Sequence, residues 1–126
     1  LRSQIDFVLE DALPGEPARL DVPQIEQALL NLIKNAHESG SPPEGVSLRV
    51  RRLPGQLRIE VADRGTGMSD AVLANALVPF YSTKRSGTGL GLALAREIAE
   101  AHGGRISLGN RPEGGLVVTL VLPVLE

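Results

Sequence analysis

The sequence predicts an α+β fold in which a mixed sheet is covered by helices on one face. Three observations carry that expectation. Residues 46–53 and 56–63 alternate apolar and polar side chains and meet at Pro54 and Gly55, which reads as a hairpin. Residues 22–36 instead place Ile25, Ala28, Leu29, Leu32, Ile33 and Ala36 at the three- and four-residue spacing of a helical stripe about 100° wide. The elements then follow one another as strands, helix, hairpin, helices and hairpin, an order that segregates helices from an antiparallel sheet.

In chain order, residues 5–10 read as a first strand and 18–21 as a second short one, separated by the turn-forming run Leu13, Pro14, Gly15, Glu16, Pro17. Asp21 is placed to cap the first helix, with Pro23 in its opening turn. Residues 40–45 form a loop. In the hairpin that follows, Val46, Leu48 and Val50 share one face while Ser47, Arg49 and Arg51 share the other, so only one face is covered. Ser69 or Asp70 caps a short helix through Leu77, and residues 93–102 form a longer one. Residues 105–110 and 116–122 make a closing hairpin across Arg111, Pro112, Glu113, Gly114 and Gly115.

Composition narrows the function. A chain of 126 residues, 42% apolar and 22% charged, reads as one domain over residues 1–126. That length suffices to bury roughly two-thirds of the unfolded surface. A net charge of −2 and the absence of a basic run argue against a nucleic-acid partner. The aromatics Phe7, Phe80 and Tyr81 are too few for a base-stacking platform. The chain has no cysteine, so disulfides and thiolate metal sites are excluded. No apolar run reaches membrane length and residues 1–4 lack signal-peptide character, so a cytoplasmic domain without direct membrane contact is expected.

The densest signal is Ser86, Gly87, Thr88, Gly89, Leu90, Gly91 and Leu92, running directly into the helix. Glycines at alternate positions leave N–H groups uncovered where a helix begins and its first donors lack partners, which makes a phosphate cradle. Any tight loop also uses glycine, so the fold must decide. A dinucleotide fold would need a strand entering the loop and an acid ending the next strand, and residues 80–85 and 105–110 supply neither. The Gly-x4-Gly-Lys loop and the protein-kinase signatures are absent.

Two other stretches carry polar chemistry. Gln27, Asn31 and Asn35 recur every fourth residue along the border of the apolar stripe, where Asn is a poor helix former. The asparagines read either as tolerated surface amides or as a sign that Asn35 turns its amide oxygen toward a metal, a neutral ligand suited to Mg2+ held mainly by nucleotide phosphates. Asp63 ends a strand and precedes Arg64, Gly65, Thr66, Gly67 and Met68, a backbone that permits close approach beside a fixed carboxylate. It reads either as a bare turn or, if a purine sits there, as a carboxylate that accepts from the exocyclic amine of adenine, where guanine would present an acceptor oxygen. Lys84 reads either as a phosphate contact or as a solvated surface lysine. His37 and His102 read as structural, the latter at a helix end that favours a partly positive imidazole.

Taken together and in this order, these stretches resemble the ATP-binding catalytic domain of bacterial sensor histidine kinases, within the GHKL superfamily. Residues 27–36 resemble its N box, Asp63 to Gly67 its G1 box, Pro79 and Phe80 its F box, and residues 87–92 its G2 box. The resemblance implies a Bergerat-type α/β sandwich that binds ATP and Mg2+. It implies that Asn35 holds Mg2+ with Asn31 alongside, that Asp63 binds the adenine amine, and that Gly65, Gly67 and Met68 line the base pocket. Gly87, Thr88, Gly89, Leu90, Gly91 and Leu92 would meet the phosphates, and Thr119 would help hold the base, while Phe80 with Tyr81 reads from its place before the loop as a hydrophobic anchor. The implied partners are a histidine-bearing dimerisation domain and, indirectly, a response regulator receiver domain.

The chain departs from the family pattern in places. Residues 81–86 make a short lid like that of the nitrogen-regulator type. Glu38 stands where many relatives carry a phosphate-contacting lysine, leaving Lys34 and Lys84 as candidates, and Arg64 replaces the common asparagine. The expected activity is donation of the γ-phosphoryl group to a histidine outside this chain. The rivals are a self-contained GHKL ATPase, a stand-alone anti-sigma-type serine kinase and a non-catalytic nucleotide sensor. The first would be expected to carry a water-activating glutamate where Asn31 stands.

Overall fold

The computed structural model describes residues 6–9, 21–78 and 91–124. Residues 18–20 of the strand expected at 18–21, the segment holding Phe80 and Lys84, and the glycine loop from Gly87 to Leu90 lie outside them. Strand β1 (Asp6–Leu9) precedes helix α1 (Val22–Glu38), the hairpin β2 (Ser47–Leu53) and β3 (Gln56–Ala62), the short helix α2 (Asp70–Asn75), helix α3 (Gly91–Ala101) and the hairpin β4 (Arg105–Asn110) and β5 (Leu116–Pro123). The five strands lie in the order β1-β2-β3-β5-β4. β1 runs parallel to β2 and every other pair is antiparallel, so the sheet is mixed as expected.

Local chemistry accounts for most boundaries. Asp21 caps α1 by accepting the Gln24 N–H at 3.1 Å, and a proline occupies the first turn where no intrahelical donor is missed. Ser69 caps α2 in the same way through the Val72 N–H at 3.2 Å. α2 ends at Asn75, two residues earlier than expected. Gly55 turns the β2–β3 hairpin with φ of 71°. α3 ends in a Schellman closure, with Gly103 donating to the Glu100 carbonyl and Gly104 to the Ala99 carbonyl. The 40–45 loop holds a single 3-10 turn, Pro43–Gly45.

One continuous core lies between the helices and the sheet. Ile25, Ala28, Leu32, Ile33 and Ala36 of α1 meet Leu92, Ala95, Ile98 and Ala99 of α3, above Leu48, Val50, Leu57, Ile59, Val61, Val118, Leu120 and Leu122 of the sheet. The stripe expected for α1 is the buried one, with Leu29 at its margin. Alternation places Arg49 on the uncovered face, between buried Leu48 and Val50. Burying a leucine such as Leu32, fully enclosed here, is worth about 2–5 kcal/mol against alanine.

Helices α1 and α3 pack side by side and run antiparallel. Gly91, at the start of α3, stands over Asn31 in the second half of α1, where an added methyl would lie 3.9 Å from the Asn31 Cβ. At the other end, His102 reaches the backbone of Asp21. No helix among the described residues is long and apolar enough to cross a membrane.

Candidate nucleotide site

The site is built around Asp63, which continues β3 and is only 2% exposed. A carboxylate this deeply buried has to be hydrogen-bonded. Its Oδ1 accepts from the Gly65 N–H at 2.8 Å and from the Leu116 N–H of β5 at 3.2 Å. Its main chain is held as well, the N–H donating to the Leu116 carbonyl at 2.9 Å and the carbonyl accepting from Arg111 Nη1 at 3.0 Å. Both side-chain bonds fall on one oxygen, and no donor among the described residues takes Oδ2. Such a group offers one committed oxygen and one acceptor for a ligand.

The loop after Asp63 rests on two neighbouring turns. From the turn that follows α1, Ser41 Oγ accepts the Arg64 N–H at 3.0 Å and the Ser39 carbonyl accepts the Thr66 N–H at 3.4 Å. From the end of β4, Asn110 bonds both backbone groups of Met68, at 2.8 and 2.6 Å. Protein fills the space that the two loop glycines leave open. A side chain at Gly65 would collide with Ser39, and one at Gly67, whose φ is 72°, would lie 2.7 Å from Asn110 Oδ1. Gly115, at φ 100°, lies so close to the Asp63 carbonyl that no side chain fits there. Close approach to these loop glycines, read from sequence as room for a ligand, is satisfied by the domain's own turns.

Of the α1 residues, Asn31 lies beside the start of α3. Asn31 Oδ1 accepts from Gln27 Nε2 at 3.3 Å, one turn earlier. Its Nδ2 is buried and meets no hydrogen-bond partner among the described residues. A buried donor without a partner costs about 1–3 kcal/mol unless a ligand takes it. Asn35 is half-buried one turn further on, and Lys34 is exposed beside them. Gly91 and the buried Leu92 open α3 next to Asn31.

Thr119 lies in β5, away from the turn that meets Asp63. The register pairs it with Glu60, whereas the residue beside Asp63 is Leu116. Three residues separate Thr119 from Leu116, and an odd step along a strand turns a side chain to the opposite face. Leu116, Val118 and Leu120 are buried on the helix side, so Thr119 belongs to the other side of β5. Sequence reasoning missed Ser39, Ser41, Asn110, Arg111 and Leu116. Asn110 alone gave a signal, a polar residue closing a strand just before a glycine-rich turn.

A groove of about 450 Å3 between the first half of α1 and the second half of α3 is lined by Pro23, Gln24, Gln27, Leu94, Glu97, Ile98 and Ala101. It contains none of the expected site residues. The chemistry at Asp63 and Asn31 is the better guide to a polar ligand.

The α/β sandwich thus sets a buried, half-committed carboxylate at a strand end and a polar helix face beside the start of a glycine-led helix. The model of the family described as histidine kinase-, DNA gyrase B- and HSP90-like ATPases matches residues 20–126, and the chain belongs to that family. Within it the likeness falls on sensor histidine kinases. The chain is 45% identical over 127 residues to the C4-dicarboxylate transport sensor protein DctS of Rhodobacter capsulatus, covering 98% of this chain and 19% of that protein. It is 37% identical to the sensor protein FixL of Bradyrhizobium diazoefficiens, covering 98% of this chain and 25% of the relative. Among solved structures, the catalytic domain of the histidine kinase ThkA superposes with a TM-score of 0.80 at 31% identity, covering 98% of this chain and 81% of that one. Full-length ShkA in complex with AMPPNP gives 0.77 at 27% identity, covering 98% and 26%. The chain thus spans a quarter or less of the curated relatives named here.

Proposed function

We propose that residues 1–126 form the Mg-ATP-binding half of a protein-histidine kinase, which donates the γ-phosphoryl group to a histidine on a separate dimerisation domain. A response regulator receiver domain is then the downstream acceptor. The observation that carries the reading is Asp63, whose Oδ1 is tied to Gly65 and Leu116 while Oδ2 is left for an exocyclic amine. Adenine offers that amine. Guanine would set an oxygen against the carboxylate and leave two buried acceptors unpaired.

The α1 face supports the phosphate end of the reading. The unpartnered Asn31 Nδ2 is a donor, which suits a phosphate oxygen. Asn35, one turn later, offers a neutral amide oxygen to Mg2+. Among the described residues no three His, Cys, Asp or Glu side chains gather into a metal cage, which leaves the ion to be carried largely by the nucleotide. Bound Mg2+ would supply charge neutralisation at the phosphates. The chain's own part is positioning, which phosphoryl transfer chiefly requires. Lys34 and Lys84, with residues 87–92, complete the proposed phosphate contacts, and Phe80 the lid anchor.

A calorimetric titration of this chain with ATP and Mg2+ tests the proposal. Saturable heat without continuing turnover is the expected result. Sustained hydrolysis would replace it with a self-contained ATPase, and no binding heat would refute nucleotide donation altogether.

A further inference from the structure

The geometry points to Asn110 as a positioning residue that sets the selectivity of the base pocket, an inference that rests on reading Asp63 and Met68 as that pocket. Asn110 closes β4, and its carboxamide engages both backbone groups of Met68, 42 residues away. Oδ1 accepts the Met68 N–H at 2.8 Å, and Nδ2 donates to the Met68 carbonyl at 2.6 Å. One donor and one acceptor are met at once, which fixes the orientation of the amide. The side chain thus does for Met68 what a neighbouring strand would do, at a point where the β3–α2 connection has no strand partner.

The arrangement depends on Gly67. Its φ of 72° carries the chain past Asn110, and a side chain there would meet Oδ1 at 2.7 Å. Gly67 admits Asn110, and Asn110 then holds Met68. The loop is accordingly pinned at both ends. Asp63 takes the Gly65 N–H at its start, and Asn110 takes Met68 at its finish. The next residue, Arg111, donates to the Asp63 carbonyl, so one β4–β5 turn holds both ends. Met68 itself packs half-buried against the core.

A carboxylate separates an amine from a carbonyl only when the base is pressed against it by an opposing wall. A base free to move back by the width of a water molecule lets that water bridge the mismatch, and the penalty disappears. On the reading that makes Met68 this wall, Asn110 holds the wall's backbone. Its loss is therefore expected to cost discrimination between bases, beyond any cost to the fold.

The test compares ATP and GTP affinities, by competition against a fluorescent ATP analogue, in the wild-type chain and in Asn110→Ala, Asn110→Asp, Asn110→Ser and Asp63→Asn. Thermal denaturation without nucleotide is measured alongside. Asn110→Asp keeps the acceptor but sets an oxygen against the Met68 carbonyl, and Asn110→Ser keeps one bond. The expected result is a fall of about tenfold in the ATP-to-GTP affinity ratio for Ala and Asp, the size of a lost discriminating hydrogen bond. Ser should fall between these and wild type, and it carries the test should Ala fail to fold. A wild-type ratio in all folded Asn110 variants, whatever their melting temperatures, would overturn the proposal. Asp63→Asn separates the two layers of argument. Lost discrimination there upholds the pocket, and full discrimination there removes the pocket and the role of Asn110 together.

Discussion

The imidazole of His102 joins the end of α3 to the start of α1, with Nε2 accepting the Asp21 N–H at 3.0 Å and Nδ1 lying 2.8 Å from the Ile98 carbonyl. A donor on one side and an acceptor on the other select the neutral Nδ1–H tautomer. Because α1 and α3 are antiparallel, this tie and the Asn31–Gly91 junction lie at opposite ends of one helix pair. His102→Ala is expected to cost about 1–2 kcal/mol, two ordinary hydrogen bonds, by urea denaturation. Nitrogen-15 NMR of the wild-type ring should show the Nδ1–H form.

Asp63→Asn is expected to keep the fold and lose the ligand. The amide oxygen can still accept from Gly65 and Leu116, while the group replacing Oδ2 becomes a donor facing another donor. ATP affinity should fall at least about tenfold, the range for a hydrogen bond to a charged group. Calorimetry beside a melting curve checks both halves, and unchanged affinity would sink the adenine assignment.

Asn35→Ala should remove the benefit that Mg2+ gives to ATP binding more than it alters metal-free binding. Titrations with Mg2+ and with a chelator measure the two. Equal losses in both would take away its role as a metal ligand.

Gly115→Ala should be among the most damaging single substitutions in the described chain. At φ of 100° a side chain is strained, and the new methyl would collide with the Asp63 carbonyl. A loss of more than about 3 kcal/mol is expected from strain and collision combined. Replacing Gly114, also at positive φ but with open space around it, should cost only the conformational part. Denaturation midpoints of the two variants separate the terms.

Most elements were legible because their causes are local. Asp21 and Ser69 cap helices through side-chain bonds three residues away, and Pro54 with Gly55 fixes its hairpin. The face that β2 buries follows from alternation alone. Asn31, Asn35 and Asp63 were legible as candidates because polar residues at those places contradict the patterns around them. The neighbours of Thr119 were not legible, because a threonine in a strand has no local signal for which residue it will meet. The register that pairs β3 with β5 decides that, and it puts Leu116 beside Asp63.

The sequence by itself determined the helical stripe, the two hairpins, the caps and the residue types able to hold a nucleotide, since these rest on spacing and backbone preference within a few residues. Only the tertiary structure decided what holds Asp63 and Met68 in place. Leu116 lies 53 residues from Asp63, and Asn110 lies 42 from Met68. Such bonds exist only after the sheet has brought β3, β4 and β5 together, so no window of sequence could have shown them.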